Sequence, residues 1–471
     1  MNSEVKIYEY PGGEIQRVQV VRFDDWAQLD FLHLEYNDAA LGCFYDIYRN
    51  YLVPGGPWIF GRMIMFRLPE DLDVELPSDS KKYGTVGDRL TAASIVLQEG
   101  VKIVGGAPVF KNEQVKKLWQ ALEARDCVRI VCGKLPFTKV IPVGSFTGYL
   151  SEQEADAAMK VNASFFIMDP IDCATIYDQV GTAFGLCVKD GVVENPPLFG
   201  REALLVKKDG SVTIAEPDVR ELIIEINGCH YRRGENATIY TRPERAKTPG
   251  GKGTKLVIIG RRVAAVKNGG SVDIPASGFV LCPWESTEDG VASSGGFGAD
   301  STVVSGNDNA VQVAAGDLVT YHGMEDVQFG IQVGNSIIRD GVKTERFISR
   351  FYNVRKLERV PFPPSLYPMD FEKARAARIA LGADADGKPM LFWAEGAGKL
   401  GYVPREDSTG ASLTEMAEIA VDLGMVNAIN LDGGGSAQIM IKNKRALRIS
   451  DRNTEDNSDA ERLVPLGLMV K

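Results

Sequence analysis

From about residue 135 onward, short apolar runs are cut by Asp-Gly and Gly-Gly pairs, the pattern of antiparallel strands joined by tight hairpins. Asp190-Gly191, Asp209-Gly210, Asp340-Gly341 and Asp386-Gly387 each predict such a turn. Helical spacing interrupts the strands, most clearly at Ser412-Leu413-Thr414-Glu415. This tetrapeptide has capping-box form, Leu413, Met416, Ile419, Ala420 and Leu423 follow on one face, and Gly424 ends the run. Met425 to Asp432 then reads as a strand whose period of two sets Asn430 and Asp432 on one face. The class predicted is α+β, with mixed, largely antiparallel sheets and flanking helices.

Residues 1–133 have a different rhythm. A helical stretch near Asp88 to Gln98, an apolar run Val101 to Val104 closed by Gly105-Gly106, and an amphipathic helix from Asn112 to Arg125 are followed by Val128 to Cys132. In that second helix Val115, Leu118 and Leu122 line one face behind Asn112 as N-cap. The pattern predicts a smaller N-terminal α/β accessory domain over 1–133 and a main domain over 134–471. Turn residues at Gly133-Lys134-Leu135-Pro136 mark the boundary. A Gly-, Ser- and Asp-rich tract from Ser286 to Asn309 predicts a surface excursion or lid.

Composition changes this picture little: 471 residues, 44% hydrophobic and 25% charged, can fill more than one core and exclude a disordered or fibrous chain. Charge is more selective. A formal net charge of -10 with no long basic run argues against nucleic acid as a partner, so an anionic ligand must be met by a few placed cations and N–H groups. No run of 18 apolar residues predicts a membrane span, and the Met1 to Tyr8 segment lacks the form of a secretory signal. Seven scattered cysteines without CxxC spacing read as thiols, and the expectation is a cytoplasmic or virion-associated protein.

The candidate chemistry gathers at Asn430-Leu431-Asp432-Gly433-Gly434-Gly435-Ser436. Spacing alone leaves two readings, because this chain also writes its hairpin turns as Asp-Gly. A turn needs two special residues, however, and a third glycine costs about 0.5–1 kcal/mol of chain entropy. Consecutive glycines after a buried strand let a ligand approach the backbone and aim N–H groups at an anion, with the Ser436 hydroxyl beside them. Asp432 and nearby carbonyls offer hard oxygen ligands to a divalent cation. No spacing resembles an EF-hand loop or a zinc site, so no metal and no cofactor are assigned.

The segment Asn427-Ala428-Ile429-Asn430-Leu431-Asp432-Gly433-Gly434-Gly435-Ser436 closely resembles the signature of the phosphodiester glycosidases. Ala377-Arg378-Ile379-Ala380-Leu381-Gly382 is similar to that family's Pro/Ala-Arg-Thr-Ala-Ile-Gly, and Leu391-Phe392-Trp393-Ala394-Glu395-Gly396 continues the likeness. Val161-Asn162-Ala163-Ser164-Phe165-Phe166 resembles its Asn-Gly-Gly-Phe-Phe segment, and Glu461-Arg462-Leu463-Val464 its closing strand motif. The likeness covers roughly 135–471. Ile379 stands where the family has Thr, and Ala163 and Ser164 stand where it has glycines, which implies a differently shaped pocket.

The resemblance implies a hydrolase that cleaves a sugar such as N-acetylglucosamine from a phosphodiester. Asp432 would act on the sugar as base or nucleophile, and Arg378 would hold the phosphate through its planar fork. Asn162, Asn430 and Ser436, with Gly433, Gly434 and Gly435, would orient hydroxyls and phosphate oxygens. Glu395 is either a second carboxylate or a turn cap; Arg462 either touches substrate or neutralises a buried carboxylate. His33, His230 and His322 lie in none of these motifs, which disfavours histidine acid–base chemistry. A competing class is a non-catalytic carbohydrate-binding or virion structural module on the same scaffold. A serine hydrolase centred on Ser436 lacks the Gly-x-Ser-x-Gly elbow, and a P-loop lacks its lysine.

Overall fold

Asp190 and Gly191 both adopt left-handed backbone angles, φ 51° and 86°, and Asp340 and Gly341 do the same at 48° and 76°. These angles belong to the mirror-image turns whose twist matches that of the strands they join. The first pair closes Cys187–Lys189 onto Val192–Asn195, the second Ser336–Arg339 onto Val342–Lys343. At the other two expected hairpins an aspartate braces the turn. Asp209 Oδ1 accepts the Ser211 N–H at 2.9 Å, and Asp384 Oδ1 accepts the N–H groups of Asp386 and Lys388, each at 2.9 Å.

The computed structural model describes residues 1–34, 59–61, 64–66, 96–97, 100–104, 107–130, 150–153, 156–167, 175, 177, 182–198, 201–242, 244–284, 301–306, 309–344, 375–396, 403–451, 458–459, 461–462 and 464–471. The expected helix near 88–98, the 133–136 boundary and residues 286–300 lie largely or wholly outside these. Within the Gly-rich tract, Ser301–Gly306 is a strand paired antiparallel with Asn309–Ala314.

Seven antiparallel strands form the sheet that carries most of the expected motifs. Their order is Asn2–Tyr10, Glu14–Arg22, Pro389–Ala394, Arg378–Asp384, Met425–Asn430, Ser336–Arg339, Val342–Lys343. Its central strands are covered on both faces, which is why Pro389–Ala394 is apolar throughout instead of alternating. Ile379, Leu381, Leu391, Trp393, Ile429 and Leu431 pack into the largest core. Ala380, Met390, Phe392 and Ala428 on the other face pack with Val18, Val20 and the Leu413, Met416, Ala417 and Ala420 side chains.

Those last four come from the helix Leu413–Asp422, and its capping box forms as predicted. Ser412 Oγ accepts the Glu415 N–H at 3.2 Å while Glu415 Oε2 accepts the Ser412 N–H at 2.8 Å. Asn112 likewise caps Glu113–Glu123, accepting the Val115 N–H at 3.0 Å. These are the two α-helices delimited among the described residues, so the fold is sheet-dominated and flanking helices are few. None of the described helices is long and apolar enough to cross a membrane.

The N-terminal segment departs from the expected accessory domain. Glu14–Arg22 pairs with Pro389–Ala394, and Leu29–His33 pairs with Leu466–Val470. Residues 2–33 are therefore built into the same sheets as the C-terminal part of the chain, because Val18, Val20 and Val21 bury fully only against those distant strands. The α/β rhythm of the sequence belongs to the later stretch. There the Val101–Val104 and Ala107–Phe110 hairpin lies against Glu113–Glu123, with Phe110 and Trp119 ring centroids 5.8 Å apart.

A second sheet, ordered Leu29–His33, Leu466–Val470, Met159–Asn162, Ile439–Ile441, Lys444–Arg445, meets the first through residues 431–438. That crossing is where the candidate residues collect.

Candidate active site

The strand Met425–Asn430 is paired so that Ala380 lies opposite Asn430, and the Leu431 N–H extends the ladder to the Ile379 carbonyl at 2.8 Å. Arg378 and Asp432 each lie one residue beyond that last ladder bond. Beyond Leu431 the chain leaves the first sheet for the second. The Asp432 N–H donates to the Ala163 carbonyl at 2.9 Å, and Asn162 Nδ2 donates to the Asp432 carbonyl at 2.8 Å. Asn162 Oδ1 in turn accepts the Gln438 N–H at 2.9 Å. Both ends of the Asn162 amide thus serve as a staple across the crossing, and Asp432 is held by its backbone.

The glycines do more local work than the sequence suggested. Gly434 takes φ 60° and donates its N–H to the Ala377 carbonyl at 2.7 Å, while Ser436 donates to Gly433 and Ala437 to Gly434 in one 3-10 turn. Of the glycine N–H groups expected to face an anion, that of Gly434 is therefore engaged with a backbone carbonyl. The third glycine also has a structural reason: a Cβ on Gly435 would lie 2.2 Å from Arg462 Nη2 and from Asp451 Oδ2. The Arg462 fork bonds that carboxylate through Nε at 3.0 Å and Nη2 at 2.8 Å, and Nη1 reaches Ser436 Oγ at 3.5 Å. Of the two readings of Arg462, neutralising a carboxylate is the one this contact fits.

Arg378, Asn430 and Ser436 have no solvent exposure, and Asn162, Asp432 and Glu395 have at most 5%. Arg378 Nε donates to the Ala411 carbonyl at 3.1 Å, one residue before the N-cap of Leu413–Asp422. Glu395 is occupied at both oxygens. Oε2 accepts from Ser408 Oγ at 2.6 Å and Arg17 Nη1 at 3.2 Å, and Oε1 accepts the Arg448 N–H at 3.0 Å. It ties the N-terminal strand to residues 408 and 448.

Among the described residues, both amide atoms of Asn430 and the hydroxyls of Ser164 and Ser450 are buried without a hydrogen-bond partner. Each such group costs about 1–3 kcal/mol, so native folds keep few of them and often at functional positions. Ser164 follows the carbonyl that holds Asp432. Ser450 lies against Gly396 and the neighbouring Ala377, where a Cβ on Gly396 would be 2.5 Å from Ser450 Oγ. Neither hydroxyl was singled out as a ligand contact from the sequence. Ser164 could have been, because it replaces a glycine of the family pattern; Ser450 sits in no motif. On the Met159–Asn162 strand, Lys160 donates to the Gln153 carbonyl at 2.8 Å, and burial lowers its pKa. Among the described residues, a three-residue group with metal-ligand spacing occurs in a different sheet, at Glu225, His230 and His322.

Residues 256–471 match the family model described as phosphodiester glycosidase, a shorter span than the 135–471 expected from motif likeness. N-acetylglucosamine-1-phosphodiester alpha-N-acetylglucosaminidase of Mus musculus is 39% identical over 87 residues, which is 18% of this chain and 15% of that protein. The Homo sapiens protein of the same name gives the same identity and coverage. The aligned part thus spans far less than two thirds of these relatives' length. Among solved structures, the pro-peptide-inhibited catalytic domain of the zebrafish enzyme of that name is 12% identical, with TM-score 0.39, covering 100% of this chain and 82% of that one. A hypothetical protein from Synechocystis is 14% identical, with TM-score 0.38, covering 99% of this chain and 75% of that one. Residues 256–471 of this chain are thus similar to the phosphodiester glycosidase family, a likeness shared with the curated relatives over 87 residues.

Proposed function

We propose that this protein hydrolyses a glycosyl phosphodiester to free sugar and a phosphomonoester at the sheet crossing around Asp432. The carrying observation is that Arg378 and Asp432, both buried, each lie one residue beyond the Leu431–Ile379 bond at the end of the Met425–Asn430 strand. The relatives' printed names, which specify an N-acetylglucosamine-1-phosphodiester, support N-acetylglucosamine as the sugar.

In this reading a water oxygen bonds to the anomeric carbon as the bond from that carbon to the phosphate oxygen breaks, and the electron pair leaves with the phosphate. A phosphomonoester is a stable anion, so the leaving group needs little protonation, and the burden falls on the oxocarbenium-like sugar and the water. Asp432 takes the water proton as base, or first adds to the anomeric carbon as nucleophile. An inverted first product assigns the base, a retained one the nucleophile. Arg378 holds phosphate oxygens, and Asn430, Ser164 and Ser436 orient hydroxyls. Glu395, bonded at both oxygens, positions strands.

The test is release of reducing sugar from an N-acetylglucosamine-1-phosphodiester by wild type, Asp432→Asn and Arg378→Ala, with folding checked by circular dichroism. Losses of about 10²–10⁴-fold are expected. Near-wild-type turnover by both folded variants overturns the reading. A second reading, a glycan-binding module without turnover, draws on the complete burial of Arg378 and Ser436. Binding of the same ester by wild type without release of sugar would favour it. Residues 59–130, whose described strands pair among themselves, are proposed as an accessory unit on this scaffold.

A further inference from the structure

Glu225 occupies the middle strand of a three-stranded antiparallel sheet, Cys229–Tyr231, Ile223–Ile226, Val319–His322. An Asn227-Gly228 turn, with φ 50° and 81°, folds the first two strands so that His230 lies directly opposite Glu225. On the other side His322 pairs with Ile223, one diagonal step away on the same face. Ile224, Ile226, Tyr231, Val319 and Tyr321 on the reverse face are buried in the main core, so the strands bearing these three side chains are fixed. Asn236 steadies the outer strand further, donating to the His230 carbonyl and accepting the Arg232 N–H, each at 2.8 Å.

We propose that Glu225, His230 and His322 form a binding site for one divalent transition-metal ion of the zinc class. Both imidazoles aim Nε2 at a single carboxylate oxygen: Glu225 Oε2 lies 2.7 Å from His322 Nε2 and 3.4 Å from His230 Nε2. The three ligand atoms all fall within 4.8 Å of one another. A tetrahedral ion with bonds of about 2.0–2.1 Å holds its ligand atoms about 3.3 Å apart, which small side-chain rotations reach from here.

A second observation concerns the far side of one ring. His322 Nδ1 faces Glu325 Oε1 at 3.6 Å, and that carboxylate is itself fixed by the Gly323 N–H at 2.9 and 3.0 Å. A carboxylate on that side of the ring, once closed to hydrogen-bond distance, is the arrangement that orients metal-binding histidines. Two imidazoles and one carboxylate suit zinc, nickel, cobalt or copper over calcium or magnesium. With side-chain exposures of 57% for His230, 35% for His322 and 31% for Glu225, the group is reachable from solvent, and water would complete the coordination. The ion would join strands from residues 223–231 to one ending at His322, bracing that sheet. The site is independent of the glycosidase reading, since its ligands lie in another sheet, and either can fail alone.

The experiment uses the untagged full chain, stripped by chelator and titrated with Zn²⁺ by calorimetry and with Co²⁺ by visible absorption. One ion per chain is expected, with Co²⁺ ligand-field bands and a rise of a few degrees in Tm on adding Zn²⁺. His230→Gln and His322→Gln should each weaken binding at least tenfold and remove the rise in Tm. Cys229→Ser, a neighbour whose side chain packs toward the core, should leave binding unchanged. Absence of binding, or binding that survives both histidine substitutions or is lost in Cys229→Ser, overturns the proposal.

Discussion

Asn162 grips Asp432 by its carbonyl, with Nδ2 donating at 2.8 Å, while the carbonyl of the next residue, Ala163, takes the Asp432 N–H at 2.9 Å. The carboxylate is thereby aimed by main-chain contacts to a strand from a different sheet. This relationship makes Asn162 a positioning residue, since its amide is used up on the Asp432 carbonyl and the Gln438 N–H. Asn162→Leu leaves those two backbone groups buried without partners, at about 1–3 kcal/mol each. Denaturant titration should show that loss. In the folded fraction, kcat on the sugar phosphodiester should fall at least tenfold with KM little changed, because the acid is displaced while the phosphate contact stays. An unchanged kcat would show that Asp432 does not depend on the staple.

Gly435 makes a second, more local demand. A methyl group there meets the Arg462–Asp451 ion pair at 2.2 Å, and the far ends of those side chains must yield. Gly435→Ala should therefore destabilise by about 1–3 kcal/mol, the range for overpacking. Combining it with Arg462→Ala should cost less than the sum of the two single changes. A double-mutant cycle reads the coupling directly, and strict additivity would mean the ion pair is not what excludes the side chain.

How legible the site was depends on the range of the interaction. The Asp-Gly turns, the Ser412 cap, the Gly424 stop and the strand to Asn430 are local, and each was readable because turn and cap chemistry acts over four or five residues. The pairing of Glu14–Arg22 with Pro389–Ala394 was not, because an apolar alternating strand carries no label for its partner. Glu395 shows the same limit. Its ligands Arg17, Ser408 and Arg448 come from three distant places, so sequence could offer only acid or turn cap. Arg378 and Asp432 were legible only as motif positions; that both stand at the end of one ladder appears only once the partner strand is known.

Glu415 links helix capping to the placement of Arg378. Burial alone would raise its pKa, but the Arg375 fork and the Ser412 N–H outweigh that and hold the carboxyl below the ordinary glutamate range. Arg375 Nη2 lies 2.6 Å from Oε1, and the Ser412 N–H 2.8 Å from Oε2. A folded-state value below the unfolded one means the carboxylate's stabilising contribution is complete above about pH 4.5 and disappears as pH falls through the folded value. Glu415→Gln keeps an acceptor for the capping box and removes the charge that Arg375 binds. It should lower stability by about 1 kcal/mol at pH 7, and the gap from wild type should narrow steadily below pH 4.5 in melts run from pH 7 to 3.5. Because Ala411, just before this cap, accepts from Arg378 Nε, loosening the cap should also reduce phosphodiester turnover, with the larger effect on KM. A stability gap that stays constant through pH 4 would place the effect of Glu415 in packing instead of charge, and would uncouple Arg378 from the helix start.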